Sequence, residues 1–145
     1  MSTISKIAPD EALVSLIKDQ ILVQLSEDEF RVVPAYRQGG RPNTDSPEEF
    51  IEVLHNGAIQ AITQPLGIYK GNLAVVIYCQ AFPDGTAKFS RTASIMAQIE
   101  NLVNRKVGQK VYFEVDNNNL ITPLTYDAET GYFVIIVNVE WHTTE

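Results

Sequence analysis

Four groups of residues in this chain are of types that carry chemistry. Cys79 is the sole cysteine; a thiolate is a strong nucleophile, but a thiol at its ordinary pKa needs an activating base, and no histidine stands near this one. It reads as an inert core thiol. His55 is of the type that ligates zinc, yet no second His, Cys or carboxylate stands at ligand spacing from it, so it reads as a surface residue. Arg37-Gln-Gly-Gly-Arg41 sets two guanidinium groups beside Gly39 and Gly40, a combination able to cradle an anion, but without the helix-initiating phosphate motif. Asn117-Asn-Asn119 lacks the carboxylate spacing of a calcium loop and reads as a turn. No nucleophile–base pair and no metal cluster emerges. The expectation is a protein that is not an enzyme, with no catalytic residue, no metal and no cofactor.

The elements that must position these residues are organised around Leu73–Val107. Leu73-Ala-Val-Val-Ile-Tyr-Cys-Gln80 is a short apolar run rich in Val and Ile, bounded by Lys70-Gly71-Asn72 and Pro83-Asp84-Gly85, which reads as a central strand buried on both faces. Odd positions Leu73 to Cys79 share one face, and Ala74, Val76, Tyr78 and Gln80 share the other. Thr86–Lys106 follows as an amphipathic helix with Phe89, Ala93, Met96, Ile99 or Glu100, and Val103 on its dry side. Lys88, Arg91, Gln98, Asn101 and Arg105 lie opposite, Asp84 or Thr86 caps the start, and Gly108 stops the end.

Upstream, Pro9 opens a first helix with Asp10 as N-cap, running to about Ser26. Val14, Leu22, Val23 and Leu25 widen its apolar stripe, as in a deeply buried helix or one touched by more than one surface. Phe30–Tyr36 reads as an edge strand because Pro34 lacks a ladder donor. Arg37–Pro47, with two glycines, two prolines and no apolar residue, reads as a long mobile loop and a protruding contact arm. Phe50–His55 and Ala58–Thr63 flank Asn56-Gly57, the signature of a two-residue hairpin; a helix starting at Pro47 is the competing reading. The C-terminal third reads as an antiparallel meander of Val111–Val115, Leu120–Tyr126 and Tyr132–Trp141, with Pro123 marking the middle strand as edge-like. Val111, Phe113 and Val115 share its dry face with Phe133, Ile135, Val137, Val139 and Trp141.

At 145 residues the chain is one domain's worth, and its 45% hydrophobic content with 20% charged residues excludes a disordered chain. No segment approaches a membrane span, no leader pattern opens the sequence, and one cysteine makes no internal disulfide; a reducing cytoplasm is the expected site of synthesis. A net charge of −7 and a pI near 4.8 oppose binding to a phosphate backbone. The fold class is α+β, a mainly antiparallel sheet with two principal helices packed against it. Whether both helices cover one face or one covers each face stays open.

The order helix, strand, hairpin, long strand, helix and meander, with an Arg- and Gly-rich mid-chain loop, resembles the tail terminator or tail-completion proteins of tailed bacteriophages. Leu73–Gln80 with its Pro83-Asp84-Gly85 turn and helix, and the closing strand Tyr132–Trp141, carry the resemblance, which spans most of the chain. It implies a non-enzymatic virion protein that forms a hexameric ring, contacts the tail tube protein, with sheath protein as a further partner, and stops tail growth. It also implies a joining surface for a neck or connector protein, and a lumen through which DNA passes without specific binding. Contractile and non-contractile types are not separated. Exposure and composition select the expected interface residues: Arg37, Gly39, Gly40, Arg41 and Asp45 in the loop, and Val76, Tyr78, Val134 and Ile136 on the sheet face turned from the meander's dry side. Two further classes stand beside this one: another neck or connector component, and a ligand-binding or enzymatic α+β domain unrelated to phage.

Overall fold

The computed structural model describes residues 8–40, 47–56, 59–63, 68–103, 106–108, 111–115, 124–129 and 131–143. The fold is α+β, with two helices among the described residues and a large, mostly antiparallel sheet.

Helix α1 spans Pro9–Ile17. Proline at the first helical position needs no hydrogen-bond acceptor for its nitrogen, and Asp10 and Glu11 meet the positive end of the helix dipole. Asp10 is therefore inside the helix and not its N-cap; Ala8 holds that place in the left-handed region (φ 46°) with no side-chain cap. Leu13 and Ile17, one turn apart, are fully buried. The helix does not continue to Ser26. Lys18 leaves helical geometry at ψ 132° and Asp19 turns the chain at φ 63°. Leu22–Ser26 becomes strand β1, paired antiparallel with β2 (Glu29–Val32) in a separate two-stranded sheet with a bulge at Gln24/Ser26.

The predicted strand Phe30–Tyr36 is divided at Pro34, after which Ala35–Arg37 forms β3, an edge of the large sheet as the proline requires. β3 runs parallel to β4 (Glu49–His55), while β4 pairs antiparallel with the long central strand β6 (Ile68–Gln80). Gln60–Thr63, β5, also pairs with β6, through Ile68–Lys70, and not with β4. The Asn56-Gly57 hairpin is thus replaced by two strands sharing one flank of a 13-residue strand, long enough to accept both. Glu49 opens β4, so the competing helix from Pro47 does not form either.

Helix α2 covers Phe89–Val103. Its buried line is Thr92, Ile95, Ile99 and Val103, rotated from the expected one, and Phe89 is 68% exposed. Thr92 tolerates burial because its hydroxyl donates to the Lys88 carbonyl at 3.0 Å. Asp84 does not cap the helix; its Oδ1 accepts from the Thr86 amide (3.0 Å) and hydroxyl (2.6 Å), closing the preceding turn. Gly108 ends β7 (Lys106–Gly108) and is not a helix stop.

β8 (Val111–Val115), β9 (Thr125–Asp127) and β10 (Tyr132–Thr143) replace the meander. β9 and β8 both pair with β10, at its start and end respectively, and β7 pairs with β8. The path through the sheet is β3-β4-β6-β10-β8-β7, with β5 on β6 and β9 on β10. Pro123 lies outside the described residues.

Both helices pack side by side on one face, α1 over β3, β4, β7 and β8, and α2 over β1, β6 and β8. That inner face holds Leu73, Val75, Ile77 and Cys79 of β6, Val137, Val139 and Trp141 of β10, and Val111 and Phe113 of β8, all essentially without solvent contact. Gly71 belongs to the same face. It sits opposite Trp141 in register, and a Cβ there would lie 2.7 Å from the indole Cζ2, so only glycine lets the ring lie flat across the strand.

Candidate interaction surface

The outer face of the large sheet carries no helix among the described residues, and side chains fill part of that role. Phe50 on β4, Tyr78 on β6 and Val134 on β10 stand in one cross-strand row, and Glu52, Val76 and Ile136 in the next. The Phe50 and Tyr78 rings stack at 4.3 Å between centroids, Tyr132 meets both edge-on at 5.2 and 6.0 Å, and Tyr36 meets Phe50 edge-on at 6.2 Å. Tyr132 donates its hydroxyl to the Pro47 carbonyl at 2.7 Å. Such aromatic contacts add about 0.5–1.5 kcal/mol each beyond burial.

Of the expected interface residues, Val76 and Ile136 are register partners, as are Tyr78 and Val134, so these four form one patch. Val76 is only 3% exposed; the cost of leaving it in water, which selected it, does not arise. Tyr78, Val134 and Ile136 are half-buried. Arg37, Gly39 and Gly40 are exposed at the end of β3, and Arg41 and Asp45 lie outside the described residues. The two halves of the expected surface meet at a residue the sequence reading passed over. Glu52 accepts from the Tyr78 hydroxyl at 3.4 Å through one oxygen and from the Gly39 amide at 3.3 Å through the other. Its place on the wet side of a predicted strand beside the loop was the signal available.

The anion-cradle reading of Arg37 and Gly39 is answered from within the chain. Arg37 Nε lies 3.1 Å from Asp10 and its Nη1 3.8 Å from Glu11, and the Gly39 amide faces Glu52. Burial works to raise the Asp10 carboxyl, but the Arg37 hydrogen bond, aided by the Arg37 and His55 charges, outweighs it and holds the pKa below the usual value. His55 Nε2 is 3.4 Å from the same carboxyl, a link between β4 and α1. No group of three or more His, Cys, Asp or Glu suited to a metal occurs among the described residues. Burial, the largest influence on Cys79, pushes its thiol up, away from the thiolate.

The hairpin β1–β2 is the surface that sequence reasoning missed, because Leu22–Ser26 was read as the end of a helix and Phe30–Val32 as part of the edge strand Phe30–Tyr36. Its inward side chains, Val23 and Arg31, are anchored: Val23 is buried, and Arg31 shares the buried Glu49 carboxylate with Arg91 of α2, whose Nη1 is 2.8 Å from Oε2. Glu48 joins the cluster, and the Lys88 ammonium beside it holds its carboxyl below the usual range. The outward side presents Leu22, Phe30 and Val32 to solvent, with Leu25 exposed at the bulge. These are the large apolar side chains that a partner could cover. No helix among the described residues is long and apolar enough to cross a membrane.

No family model matches this chain, and no curated protein matches it either.

Proposed function

We propose that this chain is a structural virion protein of the tail-terminator kind, which caps a phage tail tube as a sixfold ring, ends tail polymerisation and offers the joining surface to the neck. The observation that carries the reading is one-sided cover. Both helices lie on one face of the large sheet, while the outer face and the hairpin's apolar side remain as broad surfaces built of side chains. That arrangement suits lateral assembly better than turnover of a small molecule. In this reading the protein catalyses nothing, its partners are tube and neck proteins, and its net charge of −7 lets DNA pass the lumen without being gripped.

Electron microscopy of tails assembled without this protein tests the proposal. Overlong tails of irregular length, unjoined to heads, are expected; uniform tails joined to heads would refute it. Val134→Glu probes the outer face, since Val134 is half-buried. Val76→Glu does not, because a carboxylate at so buried a position tests folding and not assembly.

A further inference from the structure

The hairpin turn and the groove beside the hairpin are complementary in charge and in apolar character, and they adjoin: Gln24, which lines the groove, is the register partner of Phe30 and donates its side chain to the Glu27 carbonyl at 3.4 Å. The turn carries Glu27, Asp28 and Glu29, all exposed, between the exposed Leu25 and Phe30. The groove, of about 440 Å³, lies between Val23 and Gln24 of β1 and the first turns of α2; Phe82 and Phe89 wall it, with Lys88 and Arg91 at its rim. Phe30 is 56% exposed and Phe89 68%.

Charge in the groove is positive on balance. Lys88 and Arg91 line it, and with Arg31 beside them they stand against Glu48 and Glu49, neither of which lines the groove, three cations to two anions. No acidic residue occupies the first turn of α2, and the Lys88 side chain before it, a donor only, cannot cap the helix amides, so the positive end of that helix adds to the same field. The edge of β1 that faces α2 is engaged at Leu22, where the Gln98 side chain accepts from the amide at 2.9 Å and donates to the carbonyl at 2.7 Å, as a neighbouring strand would. The Gln24 backbone, two residues on, is turned the same way.

We propose that the acidic turn of one copy of this chain seats in the groove of a second copy, with Leu25 and Phe30 against Phe82 and Phe89 and the carboxylates toward the start of α2. The contact joins unlike patches; made in one direction between successive copies, it repeats head to tail and closes into a ring where the rotation allows. Only the ring's place on a tail rests on the function proposed above.

The test is light scattering and sedimentation of the full chain as wild type, Phe30→Asp, Phe89→Asp and an equimolar mixture of the two variants, with Tyr126→Asp, an equally exposed aromatic elsewhere, as control. Circular dichroism confirms that each is folded. Wild type and control are expected to self-associate at about 0.1 mM, and each groove or turn variant to weaken association at least about tenfold. The mixture should form dimers and nothing larger, because only one intact turn and one intact groove remain per pair. A monomeric wild type, unchanged assembly in both variants, or a mixture that stays monomeric would overturn the contact. The two proposals fail separately. Unchanged assembly in the variants with overlong tails in the protein's absence removes the contact and keeps the terminator, whereas variant-sensitive assembly with normal tails does the reverse.

Discussion

Gly71 and Trp141 offer the sharpest test of how the inner face is built. A Cβ at Gly71 would lie 2.7 Å from Cζ2 and 2.9 Å from Cε2 and Nε1 of the indole, well inside van der Waals contact. Trp141 is 1% exposed and cannot swing into solvent, so Gly71→Ala forces a backbone or ring shift of the overpacking kind, costing about 1–3 kcal/mol. For 145 residues the unfolding entropy is about 0.3 kcal/mol/K, so a loss of about 2 kcal/mol lowers Tm by about 7 °C. Trp141→Phe deletes the ring atoms that the new methyl would strike. It also removes the Nε1–H, which has no hydrogen-bond partner among the described residues and whose burial costs about 1–3 kcal/mol, partly offsetting the lost apolar contact. The double variant should therefore be more stable than the sum of the single losses by about 1–2 kcal/mol. Urea denaturation followed by far-UV circular dichroism measures all four proteins, with an unchanged m-value as the check on two-state behaviour. A Gly71→Ala loss below about 0.5 kcal/mol, or additivity of the pair within that margin, would refute the contact.

Further outcomes are specific to other sites. Glu49→Ala leaves Arg31 and Arg91 without their shared buried acceptor and should cost about 3 kcal/mol by urea denaturation, the low end for a broken buried pair because both guanidinium groups keep some solvent contact; adding Arg91→Ala should cost less than its effect in wild type. Asp10 has a folded pKa depressed below its ordinary value of 3.8, so its contribution is complete above about pH 4 and is lost as pH falls through the folded value; Asp10→Asn should flatten acid denaturation in that window. Cys79 should resist a thiol-specific disulfide reagent in the native protein at pH 8 and react at once in denaturant, since burial raises its pKa and excludes the reagent.

The parts of the fold legible in sequence were those whose periodicity admits one reading. Leu73–Gln80 could only be a strand, and Val111, Phe113 and Val115 alternate as their burial does. Leu22-Val-Gln-Leu25 also fits a helical stripe, and what excludes it is the left-handed Asp19, a conformation that aspartate tolerates without announcing it. Asn56-Gly57 signalled a local hairpin, but β6 is long enough to pair with both flanking strands, with β5 next to it in sequence and with β4 at longer range. The helix α2 face was misjudged because Phe89 is apolar and Thr92 polar, whereas a backbone hydrogen bond lets threonine go inside and Phe89 projects into the groove. For the surface, the outer-face patch was legible as a set of neighbours. Its burial was not, since the aromatic cluster that shields it draws on Tyr36, Phe50, Tyr78 and Tyr132 from four separate strands.

The two sheet faces without helical cover differ in what a partner would have to disturb. On the large sheet, Tyr78 is already stacked on Phe50 and bonded to Glu52, and Glu52 in turn holds the Gly39 amide; close contact there must either rearrange this network or settle for the half-buried Val134 and Ile136. On the hairpin, the anchoring interactions lie on the other side or at the strand edge. Arg31 binds Glu49 of β4 together with Arg91 of α2, Gln98 grips the edge of β1, and Val23 and Val33 are buried beneath. Leu22, Phe30 and Val32 are thereby held outward on a strand pair that two elements fix in place, with no polar partner to surrender. Binding to a surface already in its bound shape forfeits little conformational entropy. Loosening the anchor should consequently weaken assembly even though Glu49 itself is 1% exposed and touches no partner: in Glu49→Gln the apolar side chains remain, but the frame that presents them does not.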